Sequence, residues 1–394
     1  MTPNDTILAA PPLTLVERPV LTRSLPDFSR EVYCVLGLPF DLVNLQQATA
    51  RLHQASSERR RCFLSTPNLN FVIACLRDQQ FRSTVIQSNL SVIDGMPIVW
   101  IARALGLPFT ERVSGSTLFD SLRSTAGKNG VDPMRIYFFG GLPGVAQLAC
   151  EKINADQGGM QAVGFETPGF GSVEDMSTPE TIKRINDSRP DFLVVALSAK
   201  KGQEWVQRNR NDLDVALMGH LGAVINFVAG TVSRAPRWVQ KSGLEWAWRI
   251  KEEPALWRRY WNDGRTLLQL LVSVVIPGAL AARRQRVPAA QFENARMEVR
   301  SAGGDCELVL AGAIGKPNLG PWQAALTQAA RAEGPLVVDC TALEHIDSAA
   351  LGSLILLYGS CIAEQRPWAV INASAQVRRQ LELHCAQYLL KPLP

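Results

Sequence analysis

Short apolar runs alternate with stretches of helical spacing through the first two thirds of the chain. Residues 61–65, 90–93, 135–139, 192–197 and 215–218 are each bounded by Gly, Pro, Asp or Asn, the pattern of strands buried on both faces. Between them, residues 69–81 and 144–154 repeat apolar positions at helical spacing. Strand and helix in alternation predict a parallel sheet covered by helices on both sides. Ligands in such sheets bind beyond the carboxyl ends of the strands. The residues just after each run are therefore the first candidates for chemistry.

The pattern changes at residue 234. Trp238, Trp246, Trp248, Trp257 and Trp261 are interleaved with arginines, and an apolar stretch over 266–282 follows, interrupted by Pro277-Gly278. Such a stretch is marginal for spanning a bilayer, which needs about 20 residues. A polar loop over 283–294 reads as a domain boundary, and alternation resumes from 295. The expected layout is an extended or disordered segment 1–30, an α/β domain 31–233, a basic Trp-rich appendage and linker 234–290, and a small α/β domain 295–390.

Composition supports two cores, since 46% of the 394 residues are apolar and 20% charged. The net charge of +5 is unevenly spread: between residues 231 and 290 eleven Lys/Arg face four Asp/Glu. That surplus points to an anionic partner. The eight cysteines are scattered without a C-x-x-C pair and the four histidines lie far apart, so reduced buried thiols are expected, with no zinc site. The opening residues lack the basic start and long apolar run of a secretory signal. A cytoplasmic protein is expected.

Thr66-Pro67-Asn68 follows the run ending at Ser65, and Asp94-Gly95 follows the run ending at Ile93. Asp-Gly after a strand also serves as a plain turn. Gly140-Gly141-Leu142-Pro143-Gly144 joins a strand to a helix, where glycines let backbone N–H groups approach a phosphate. It lacks the full dinucleotide-binding spacing.

Taken in order, Thr66-Pro67-Asn68, Asp94-Gly95, Glu111-Arg112-Val113-Ser114-Gly115-Ser116, Phe139-Gly140-Gly141, Gly202-Gln203-Glu204-Trp205, Ala229-Gly230, Arg234-Ala235-Pro236 and Leu244-Glu245-Trp246 with Arg249, Glu253 and Pro254 resemble the WecG/TagA/CpsF glycosyltransferases (glycosyltransferase family 26). The resemblance runs from Val32 to Gly264. It implies a Rossmann-like, inverting enzyme that moves a sugar from a UDP-sugar donor to a lipid-linked acceptor. It also implies Asp94 as the base, with Thr66 and Gln203 orienting donor and acceptor. Asn68, Gly95, Gly115, Gly140, Gly141, Lys200, Lys201, Arg234, Arg249, Arg258 and Arg259 are the candidate donor- and acceptor-binding residues.

The chain departs from the family pattern in Ser198-Ala199-Lys200-Lys201-Gly202-Gln203-Glu204 and at Asn226, where many members have Asp. These variants resemble the exopolysaccharide branch and favour glucose over N-acetylmannosamine as the donor sugar. Asp212-Leu213-Asp214 has the D-x-D spacing of metal-dependent glycosyltransferases, but it precedes a strand instead of following one. Metal-independent transfer without a cofactor is expected.

The basic Trp-rich segment has three readings: a solvated helix face, a nucleic-acid surface, or a membrane-facing appendage with Trp at the interface and Arg at anionic headgroups. The resemblance favours the third, with no nucleic acid and a peripheral position at the inner face of the plasma membrane.

In the carboxyl-terminal part, residues 336–341 read as a buried strand, then a short loop, Ile346-Asp347-Ser348, and a helix over 349–364. Asp339-x-Thr341 followed by Ile346-Asp347-Ser348-Ala349-Ala350-Leu351-Gly352 resembles STAS domains, the anti-sigma-factor antagonist fold, from Ala295 to Leu390. That resemblance implies Ser348 as a phosphorylation site and a partner protein or kinase. Ser348 also reads as a helix N-cap, and Ala350 stands where the family has glycine. The first expectation is thus an active transferase with a regulatory or docking domain; the alternative is a catalytically weak scaffold acting through the STAS domain.

Overall fold

The computed structural model describes residues 25–127, 132–156, 158–236, 238–239, 243–284, 287–302 and 304–393. Its strands are β1 (Val32–Val35), β2 (Leu38–Asp41), β3 (Cys62–Ser65), β4 (Leu90–Ser91), β5 (Met134–Gly140), β6 (Met160–Glu166), β7 (Phe192–Ala196), β8 (Leu217–His220), β9 (Arg296–Ala302), β10 (Asp305–Ile314), β11 (Leu336–Ile346) and β12 (Trp368–Ile371). The chain folds as two compact units assembled from separated stretches. Val43–Thr66 and Arg112–Trp257 lie in the first, while Ser24–Leu42, Pro67–Glu111 and Arg258–Pro394 lie in the second.

In the first unit five strands pair in the order β3-β8-β7-β5-β6, all parallel. β7 is buried at every position, as a continuous apolar run covered on both faces must be. Phe63, Phe139, Leu193, Val195, Trp205 and Met218 form the core on one face. Phe139 and Trp205 stack at 4.1 Å, and the Trp205 indole N–H donates to the Met176 carbonyl at 2.9 Å. The strand expected at 215–218 begins at Leu217 instead, because pairing with both Cys62 and Phe192 fixes its register there.

The second unit holds the antiparallel β1–β2 hairpin, the short β4 and a four-stranded sheet in the order β12-β11-β10-β9. The helix expected over 69–81 is two helices, Leu69–Arg77 and Gln79–Ile86. Asp78 breaks them with an extended backbone (φ −118°, ψ 108°) and caps the second by accepting from the Phe81 N–H. β11 continues to Ile346 without the expected loop, because β10 runs alongside it as far as Ile314. Helix Ser348–Ala363 is buried from Ser348 to Cys361, and an apolar helix without a polar face is enclosed on all sides.

The apolar stretch near 266–282 belongs to one continuous helix, Pro254–Arg284, of 31 residues, long and apolar enough by length and composition to cross a membrane. This corrects the expectation that Pro277 interrupts it. Proline lacks an N–H and crowds the carbonyl four residues back. A π-helical turn over Leu271–Val275 lies just before it and takes up that mismatch. Leu270 and Val275 are buried, whereas Leu268, Val272, Ile276 and Leu280, four residues apart, form an exposed apolar stripe.

Candidate functional site

The first unit brings several sequence-predicted residues to the carboxyl ends of its strands. Thr66 follows β3 and is buried. Helix Gly115–Thr125, capped by Ser114, starts beside it. A methyl group on Gly115 would lie 3.5 Å from Thr66 Oγ1 and 2.7 Å from Leu221 Cδ2, so glycine is what lets this helix start come so close. Gly140 (φ +107°) and Gly141 (φ +84°) leave β5 in the left-handed region. A Cβ on Gly140 would meet the Ala196 carbonyl oxygen at 2.6 Å, and the Gly141 N–H donates to that same oxygen at 2.9 Å. The two glycines thus pin the end of β5 to the end of β7, which leaves the Gly141 amide committed within the protein.

Gln203 is fully buried, and its side chain meets the Ser65 hydroxyl at 3.1–3.2 Å. This pairing ties helix Ala199–Asn209, on which Gln203 sits, to the end of β3. It holds the strand end that leads into Thr66. Lys201 is also engaged, with its ammonium donating to the Gly171 carbonyl at 2.9 Å, and the exposed Lys200 lies 3.7 Å from Glu204. Asp214, half of the D-x-D spacing, is paired with Arg59.

His220 was not singled out by the sequence. It ends β8, and its Nε2–H donates to the Leu197 carbonyl at 2.8 Å. A Cβ on Gly202 would lie 2.1 Å from its ring, so the Gly-Gln-Glu motif makes room for this imidazole. Burial holds His220 below its ordinary value of 6.5, against the opposing hydrogen bond. The available signal was the glycine pair Gly202 and Gly222, both of which abut the ring.

A cationic corner stands on the same unit. Arg234 pairs with Asp120 and lies 5.1 Å over the Phe227 ring, while Arg249 stands 6.0 Å from that ring. Arg112 pairs with Glu245, tying helix Glu245–Glu252 to the loop before Ser114. Phe227, between two guanidiniums, is a second residue the sequence did not single out.

Asn68, Asp94 and Gly95 belong to the second unit. The Asp94 N–H donates to the Pro67 carbonyl at 3.0 Å, and Gly95 packs against Asn68, so these two motifs meet. Asn68 caps helix Leu69–Arg77 by accepting from the Phe71 N–H. Gly95 starts helix Met96–Ala104 with extended backbone. In the helix that Asn68 caps, Asn70 donates to both carboxylate oxygens of buried Asp263, at 3.2 and 3.3 Å, which clamps helix Pro254–Arg284 to this corner. Arg258 and Arg259 on that helix are exposed, and Arg259 stacks on Tyr260 at 5.0 Å.

Ser348 is 5% exposed and its hydroxyl donates to the Cys34 carbonyl at 2.9 Å. The helix N-cap is Asp347, which accepts from the Ala349 and Ala350 N–H groups. The expectation that Ser348 is the helix N-cap is therefore corrected. The preceding carboxylate does the capping, and the Ser348 hydroxyl is engaged with a main-chain carbonyl.

The strand order, the glycine-tied strand ends and the loops beyond them define a Rossmann-like α/β domain. Residues 33–278 match the model of the glycosyl transferase WecG/TagA/CpsF family, and residues 297–386 match that of the Mlab STAS domain. The chain belongs to the WecG/TagA/CpsF glycosyltransferase family and carries a STAS domain behind the transferase region. Among its relatives is an N-acetylglucosaminyldiphosphoundecaprenol N-acetyl-beta-D-mannosaminyltransferase of Bacillus spizizenii, 26% identical over 51% of this chain and 76% of the relative. A Staphylococcus aureus protein of the same name is 23% identical over 57% of this chain and 85% of the relative.

Proposed function

We propose that this glycosyltransferase moves a hexose from a UDP-sugar to a polyprenyl-diphosphate-linked sugar, with inversion at the anomeric carbon, in exopolysaccharide assembly. The observation that carries the mechanism is the joining of the Asp94-Gly95 and Thr66-Pro67-Asn68 motifs through the Asp94 N–H and the Pro67 carbonyl. The Asp94 carboxylate takes the proton of the acceptor hydroxyl. The hydroxyl oxygen bonds to the anomeric carbon from the face opposite the leaving group, the bond to UDP breaks, and UDP departs with the electron pair. Thr66 orients the substrates from the strand end that Gln203 and Ser65 hold. Arg234 and Arg249, together on the first unit, supply guanidiniums for a diphosphate, and no metal is invoked.

Glucose is the donor favoured by the departures at Ser198–Gly202 and Asn226. N-acetylmannosamine is the second reading, carried by the activity in the relatives' names. Incubating the full chain with a panel of UDP-sugars and a polyprenyl-diphosphate-linked N-acetylglucosamine, with products read by mass spectrometry, tests the reading. No product with any donor overturns it, and the mass added names the sugar.

The apolar stripe Leu268, Val272, Ile276 and Leu280, with Arg258 and Arg259 on the same helix, supports attachment to the inner face of the plasma membrane. The helix would lie in the surface plane with its stripe among the acyl chains and its arginines at anionic headgroups.

A further inference from the structure

A STAS domain attached to an enzyme is ordinarily read as a module that awaits a partner protein. Here the surface around its central serine is already covered. Gly352, one turn beyond Ser348, lies so close to β1 that a Cβ there would meet the Val32 carbonyl oxygen at 2.9 Å and the Cys34 nitrogen at 3.1 Å. The Ser348 hydroxyl donates to the Cys34 carbonyl at 2.9 Å, and the Tyr388 hydroxyl donates to the Gly37 carbonyl at 2.8 Å. Gly37, at φ +81° in the hairpin turn, would carry its Cβ 2.5 Å from the Cys385 carbonyl oxygen. Further along the helix, Gly359 seats Ile86 in the same way, and Arg82 lies 4.1 Å over the Tyr388 ring. Small residues that admit a backbone, and hydroxyls matched to its carbonyls, mark a fitted interface and not an incidental contact.

The covering hairpin leads directly to the base loop. Asp41, at the end of β2 and 1% exposed, forms a buried ion pair with Arg30 at 2.7 Å and accepts the Ser91 N–H at 2.7 Å. Arg30 also donates to the Ser88 carbonyl at 3.0 Å. Residues 88–91 are thereby fastened to the hairpin three positions before Asp94.

We infer that the β1–β2 hairpin is the STAS domain's partner in cis, and that the STAS helix Ser348–Ala363 acts through this hairpin as a positioning device for the Asp94 loop. The domain is a built-in part of the transferase, and Ser348 is an interface residue. The second half of this inference rests on the assignment of Asp94 as the base.

Hydrogen exchange on the full chain tests it. In Gly352→Val and Ser348→Asp, amide exchange over residues 32–41 and 88–91 is expected to rise about tenfold or more, with β5 and β7 unchanged. Ser348→Ala and Tyr388→Phe, which remove one hydrogen bond each without adding bulk, should give the same pattern at about fivefold. They carry the test if the bulkier variants do not fold. In all of these variants kcat for transfer should fall while the donor KM holds. Wild-type exchange in the hairpin of every folded variant overturns the cis interface. Faster hairpin exchange with an unchanged kcat overturns the coupling to the base loop. The exchange readout does not depend on Asp94, whose own role is decided by its substitution.

Discussion

The side chains of Gln203 and Ser65 meet at 3.1 Å in the interior, 138 residues apart in sequence, directly behind Thr66. This pair is isolated from solvent, so removing one partner leaves the other with an unmet polar group. Gln203→Leu is expected to lower stability by about 1–3 kcal/mol, read by denaturant unfolding. Ser65→Ala in the same background should recover part of that loss. Additive losses would show that the two residues do not act as a pair.

Asp94 is tied to the Pro67 carbonyl through its backbone N–H, a bond that survives a side-chain change. Asp94→Asn should therefore fold with a wild-type melting temperature and bind the UDP-sugar normally, while turnover falls about 10²–10⁴-fold. Calorimetric donor binding and a transfer assay check this together. Transfer at the wild-type rate removes Asp94 as the base.

Gly140 sits at φ +107° against the Ala196 carbonyl. Gly140→Ala adds a left-handed backbone penalty and a clash with main chain that cannot rotate away, costing about 1–3 kcal/mol. A drop in melting temperature measures it. An unchanged melting temperature would mean that β5 and β7 end without this constraint.

His220 titrates below 6.5 because it is buried. Between its folded value and 6.5 the unfolded chain binds the extra proton, so stability rises with pH across that window. The contribution is complete above 6.5 and is lost as pH falls towards the folded value. His53, His345 and His384 are shifted in the same direction, so the wild-type melting temperature should fall between about pH 7.5 and pH 5. His220→Gln, which keeps a donor for Leu197, should flatten that fall by the share His220 carries. A parallel pH curve in the variant would show that His220 carries no share.

The exposed stripe on helix Pro254–Arg284 gives a membrane prediction. Replacing Leu268, Val272, Ile276 and Leu280 with Ser should cut co-flotation with phosphatidylglycerol vesicles by more than about tenfold, because each side chain contributes apolar area. Arg258→Glu with Arg259→Glu should weaken the same binding in a salt-dependent way. Full vesicle binding by the stripe variant would assign attachment elsewhere.

The parallel sheet and its loops were legible because continuous apolar runs bounded by turn residues have few other interpretations. Residues 61–65, 135–139 and 192–197 became β3, β5 and β7 with small shifts of boundary. The split at Asp78 and the extension of β11 were not legible. In the first, a polar cap outweighed helical periodicity; in the second, a neighbouring strand supplied the pairing. Gln203, Gly140 and Gly202 were marked by their motifs, but the motif does not say whether a polar side chain faces a ligand or the interior. His220 was signalled only by the glycines that abut its ring, Gly202 and Gly222, and Phe227 only by the guanidiniums the fold brings beside it.

The sequence by itself determined that this chain is a WecG/TagA/CpsF-type transferase with a STAS domain behind it, since ordered loop motifs and apolar periodicity are local properties. Only the tertiary structure decided where Ser348 and its helix lie against the β1–β2 hairpin. The hydrogen bond from Ser348 to Cys34 joins residues 314 positions apart, and the fit of Gly352 against β1 depends on backbone atoms that no side-chain pattern encodes. The sequence does not tell that the Ser348 hydroxyl is buried against a carbonyl, because whether a hydroxyl meets solvent or a carbonyl depends on what folds over it.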